Sequence, residues 1–170
     1  MPRLPWLERR WEFPEPVELY PSLLARLRGA PARLEEAVAG LAHTQLVHRE
    51  GDSWSIQANV GHLARLEELP ASRLTDFLDG ADKLSPWTGN DVDDAAHYDE
   101  HDLASLLADF RTKRGALLGR LDALGADDFA RTAQHPRLDR PMRLVDMLRF
   151  QAEHDDHHLA RIHELRAALS

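Results

Sequence analysis

Apolar residues recur at helical intervals along most of the chain. In "SLLARLRGAPARLEEAVAGL", Leu23, Leu27, Leu34, Val38 and Leu41 fall on one stripe of a 3.6-residue period. Gly29 and Pro31 predict a break or kink in that helix. A loop, "HTQLVHREGDS", follows it. The second helix is expected to begin near Trp54, capped by Ser53 or Ser55, and to run through Val60, Leu63 and Leu66. Pro70 predicts a bend within it, because proline withholds a backbone donor. "DGADKLSPWTGNDVDDAAHYDE" reads as a long polar connection. A third helix is predicted over about 101–124, with Leu103, Leu106, Leu107, Phe110, Leu117, Leu118 and Leu121 as its apolar positions. "GADDFARTAQHPRLDRP" is the next connection. The last helix is predicted over 143–168 and carries Leu144, Met147, Leu148, Leu159, Ile162 and Leu165.

Four long helices without strand signals imply an all-α four-helix bundle. The Pro- and Trp-rich segment 1–20 reads as extended, ahead of a single domain over 21–170. Its Trp6, Trp11 and Phe13 are expected to pack on the bundle or on a second subunit rather than stand in water.

Composition narrows the function. A chain of 170 residues suits one domain with a full core. The net charge of −8 argues against a nucleic-acid partner, which would call for a basic surface. The absence of cysteine removes disulfides and thiolate ligands and fits a cytoplasmic protein. "MPRLPWLERRWEF" has no apolar run of the kind a secretory signal needs, and no segment is long enough to span a membrane.

The last helix holds the strongest chemical signal. "EHDDHHLARIH", residues 153–163, carries four of the ten histidines. It is either a solvated polar face or half of a metal site. His154 and His158 are four apart and share a face. Leu144, Met147 and Phe150 continue that stripe on one side, and Ile162 and Leu165 on the other. The pair therefore faces the interior, where an imidazole needs a hydrogen bond or a metal. His157 is rotated by about 100° from His158 and His163 faces elsewhere; both are expected to point away. A third ligand has to come from another helix. His62, beside Val60, Leu63 and Leu66, lies near an apolar face; alone it would read as a core histidine bonded to a neighbour. His97 and His101 are a rival pair at the same spacing, but they straddle a predicted loop-to-helix junction. The acidic run "NDVDD" reads as a solvated loop that could lend a carboxylate at the mouth of the site. His43, His48 and His135 are expected at the surface.

Three motifs, in order, resemble the DinB/YfiT-like superfamily. They are "DSWSIQANVGHL", the stretch "LLADFRTKRGALLGRLDALGADDFARTAQHP", and "LVDMLRFQAEHDDHHLARIHELR" with its His-x-x-x-His helix. Together they cover roughly residues 20–168. The resemblance implies a four-helix bundle, often a homodimer, in which three histidines hold a divalent metal. Its ligands would be His62, His154 and His158, the set the facing argument favours. One departure is visible: Arg161 follows His-His-Leu-Ala where members often have Gln.

Three neutral imidazoles leave a dication uncompensated, so the site is expected to favour an anionic fourth ligand. Three protein ligands with an open position fit a catalytic site. Imidazole suits zinc, nickel, iron or manganese, and the sequence does not choose. Asn59 and Gln151 each precede a candidate ligand by three residues, and Arg161 follows one by three. They are candidates to orient ligands or to bind an anion. The resemblance further implies thiol chemistry, in which a low-molecular-weight thiol such as bacillithiol is transferred to a small electrophile. Metal-dependent hydrolysis, or a non-catalytic, stress-associated metal-binding bundle, are the alternatives.

Overall fold

The computed structural model describes residues 4–89, 95 and 97–169. The acidic run expected at the site's mouth, 90–94, lies outside the described residues. Among the described residues the main elements are α1 (Tyr20–Val38), a single turn α2 (His43–Leu46), α3 (Ile56–Leu66), α4 (Glu68–Asp79), α5 (Leu103–Asp122), strands β1 (Thr132–His135) and β2 (Arg140–Arg143), and α6 (Leu144–Ala168). Helix α1 packs on α5 and α6, and α3 packs on the same two, giving a four-helix bundle that α4 extends.

Helix starts follow local chemistry. Ser55 accepts the Ala58 N–H at 2.9 Å to open α3, and Asp102 accepts the Ser105 N–H at 2.9 Å to open α5. Gly80 closes α4 at φ +70°, a left-handed cap that a β-carbon would oppose.

Both prolines act differently from expectation. Pro31 does not break α1. It lacks the N–H that would bond the Leu27 carbonyl four residues back, and Arg114 of α5 donates to that oxygen instead, at 3.0 Å. A long-range partner satisfies what the helix gives up. Pro70 does not bend a continuous helix either. One helix ends at Leu66 and a new one begins at Glu68, so Pro70 sits in a first turn, where a missing N–H costs little.

The connection after α5 holds a two-stranded antiparallel hairpin that strand-free patterning did not predict, in register from Thr132 opposite Arg143 to His135 opposite Arg140. The loop after α4 joins it: Leu84 N–H donates to Gln134 at 3.0 Å and Gln134 N–H to Asp82 at 2.9 Å.

The apolar core has two halves. Leu27, Leu74, Phe77, Phe129 and Leu148 fill the end near the hairpin. Leu34, Ile56, Val60, Phe110 and Ile162 fill the other. Buried polar groups gather in the middle of the bundle. The N-terminal segment lies against α6, with Trp6 and Trp11 at 4.9 and 4.6 Å from the Phe150 ring. No helix is long and apolar enough to cross a membrane among the described residues.

Candidate metal centre

His62 of α3 and His154 and His158 of α6 are all buried, and each turns Nε2 toward the others. The His154 Nε2 lies 3.4 Å from that of His62 and 3.2 Å from that of His158. Ligand nitrogens about 2.1 Å from a tetrahedral ion stand about 3.4 Å apart, so the spacing fits a shared cation.

Tautomers support the same orientation. Asn59 Nδ2 donates to the Ser55 carbonyl at 2.7 Å, which turns Oδ1 toward His158. That oxygen can only accept, so His158 Nδ1 donates to it, at 2.8 Å. The proton on Nδ1 leaves a lone pair on Nε2, the state a metal ligand requires. The Nδ1 of His154 is buried without a hydrogen-bond partner. Burial first, then the fields of His62, His157, Arg114 and Arg9, hold the His154 imidazole well below its ordinary value and so uncharged.

Aromatic rings wall the centre. Trp54 lies 4.8 Å from His62 and stacks near-parallel over His158 at 5.9 Å. Trp6 meets His154 edge-on at 4.8 Å. Close packing holds the middle of α3 as well, since a β-carbon at Gly61 would fall 2.1 Å from the Tyr98 ring. The three histidines open onto a cavity of about 700 Å³, within the range of about 300–1,000 Å³ that encloses small molecules.

The other sequence candidates divide. Asn59 touches His158, as described. Gln151 instead donates to Glu67 at 3.0 Å. Arg161 lines the cavity but is already engaged with Glu50, Ser53 and Glu164 at 3.0–3.3 Å. His157 is rotated out of the cluster but not into solvent: it is buried, and Arg9 donates toward its Nδ1 at 3.4 Å. His163, His97 and His101 are exposed, as are His43 and His48. His135 departs from expectation. It is 1% exposed, because pairing in the hairpin turns it into the cavity.

A second buried cluster went unread in the sequence. Arg114 is fully buried and reaches both Glu67 (2.8 and 2.7 Å) and Asp155 (2.8 and 3.2 Å). Burial alone would pull the guanidinium down, but the two carboxylates outweigh it and hold Arg114 above its ordinary value. Burial likewise pushes both carboxyls up against the pull of Arg114. With both carboxylates ionised the cluster carries one net negative charge.

A family model described as the DinB superfamily matches residues 26–162. Among solved structures, the chain is similar to YfiT of Bacillus subtilis, described as a probable metal-dependent hydrolase with an unusual four-helix bundle topology. That match has a TM-score of 0.81 and 22% identity over 95% of this chain and 94% of the other. A mycothiol-dependent maleylpyruvate isomerase matches with a TM-score of 0.66 and 11% identity, over 86% of this chain and 60% of the other. No curated protein matches the sequence.

Proposed function

The chain belongs to the DinB superfamily, and from that premise we propose that it is a divalent-metal-dependent enzyme that transfers a small thiol to an electrophile. One observation carries the reading: three buried imidazoles with converging Nε2 atoms, 3.2–3.4 Å apart, open onto an apolar-walled cavity. His62, His154 and His158 would hold the ion. When bound, it supplies the Lewis acidity that keeps a thiol in its nucleophilic thiolate form. Asn59 fixes the His158 tautomer. Trp6 and Trp54 exclude water from the ring faces. A structural zinc site would be closed by a fourth protein ligand. Here no such group joins the three among the described residues. A thiol co-substrate has support in the similarity to an isomerase described as mycothiol-dependent. The same reading carries a homodimer acting in the cytoplasm, with bacillithiol as one thiol to try.

Hydrolysis is the second reading, favoured by the similarity in fold to YfiT. Elemental analysis of purified protein should find about one zinc, nickel, iron or manganese per chain, lost on His158→Ala. Transfer of bacillithiol or another small thiol to a chlorinated aromatic, against ester and amide hydrolysis by the same sample, separates the two activities. Stoichiometric metal with neither activity would leave a metal-binding bundle without turnover and overturn the enzyme reading.

A further inference from the structure

Beyond Trp6 and Phe150, the cavity ends in a different kind of wall. The aromatic path from the metal centre runs from His154 to Trp6 (4.8 Å), to Phe150 (4.9 Å) and to His135 (5.7 Å). There Arg73 of α4, His135 of β1 and Arg137 of the hairpin turn face one space.

His135 presents a donor to it. Its Nδ1 accepts two backbone N–H groups, from Arg137 at 3.2 Å and Leu138 at 3.1 Å. That nitrogen is therefore unprotonated, and a neutral ring carries its proton on Nε2. The Nε2 is buried and without a hydrogen-bond partner. Burial, with Arg73 and Arg137 adding to it, lowers the ring to about 4, so it is neutral near pH 7.

The two arginines are equally open. Arg73 is 6% exposed and spends Nε on the Ser85 carbonyl at 2.9 Å. Asp76 is the acid it feels, but that carboxylate accepts the Ser85 N–H at 2.6 Å. The Arg137 guanidinium lies 5.8 Å over the Phe150 ring. Among the described residues neither arginine forms an ion pair with a carboxylate. Around the metal end the pattern is the reverse: Arg9 and Arg161 are each paired with acids. In a chain of net charge −8, two unpaired cations beside a buried free donor form a prepared anion site.

We propose that Arg73, His135 and Arg137 bind a carboxylate or phosphate on the substrate, whose apolar middle lies along Phe150 and whose reacting end lies at the histidines. The substrate class is then a small amphiphile with one anionic end. The orientation rests on the proposed metal-dependent activity; the anion site itself does not.

The test uses the full chain treated with EDTA, so that no ion competes for the anion. 3-Phenylpropanoate, phenyl phosphate and neutral 3-phenylpropanamide are titrated in turn by calorimetry. At least one anion should bind about tenfold or more tightly than the amide, as expected for charge-assisted bonds. The tighter of the two identifies carboxylate or phosphate as the headgroup. Arg137 is exposed, so Arg137→Gln should fold and should abolish the preference, whereas His158→Ala should keep it. Equal binding of anions and amide would overturn the proposal. So would a preference that survives both Arg137→Gln and His135→Phe, or one lost in His158→Ala. Zinc titration of Arg137→Gln should match wild type. Failure of wild type itself to bind metal would sink the metal reading and leave the anion site standing.

Discussion

Arg114 and His154 sit in the same bundle interior, and each belongs to a cluster of three ionisable side chains. Around Arg114 the geometry closes on itself. Its donors meet two carboxylates and the Leu27 carbonyl that Pro31 leaves free. Around His154 nothing closes. Imidazole nitrogens face one another at 3.2–3.4 Å, and the His154 Nδ1 has no partner. Buried polarity that is internally satisfied holds helices in place; buried polarity left incomplete and facing a cavity is prepared for something else.

The sharpest way to break the contrast is at Arg114. Arg114→Met leaves Glu67 and Asp155 buried and unpaired, and stability should fall by about 3–5 kcal/mol in chemical denaturation. Adding Glu67→Gln and Asp155→Leu should recover much of that loss. If Arg114→Met alone costs nothing, the cluster is not structural.

His158→Ala should do the opposite. Zinc affinity should fall by about 100-fold or more in calorimetry, while helical circular dichroism and cooperative unfolding persist. His157→Gln, one residue away, should leave zinc affinity unchanged.

Asn59→Ala is the intermediate case. Losing the acceptor on His158 Nδ1 frees the tautomer and should weaken zinc binding by about 10–100-fold, with all three ligands in place.

The smallest effect concerns pH. His135 is held near 4 in the fold against about 6.5 when unfolded. Below about pH 6.5 the unfolded chain takes up a proton that the folded one refuses, so stability should fall as pH drops toward 4. Screening by cavity water limits the loss to roughly 1–2 kcal/mol. His135→Phe should flatten that part of the pH profile. An unchanged slope would place the protonation elsewhere.

The four-helix architecture was legible because apolar stripes have a period that burial enforces. The histidine cluster was legible for the same reason, since His154 and His158 interrupt a stripe at its own spacing. The Arg114 cluster used the identical signal in disguise. Arg114 occupies the stripe between Phe110 and Leu117, where a charge reads as a gap rather than as a buried group. Glu67 was hidden because it is itself the junction, between a helix that ends at Leu66 and one that begins at Glu68. His135 depends on hairpin pairing and on a bridge to the loop after α4, contacts without a local period. Pro31 misled because the group that answers its missing donor comes from another helix.

Arg9 lies 144 positions before Glu153 and 148 before His157, yet it bonds toward both. Trp6, from the same segment, supplies the ring against His154. During synthesis residues 4–19 leave the ribosome well before α6, and His62 precedes His154 by 92 positions. The segment that walls the site therefore waits, undocked, until its partner helix has been made. Neither the histidine cluster nor its aromatic cover can assemble before α6 has been made, so any ion the cluster holds would be taken up only after that helix.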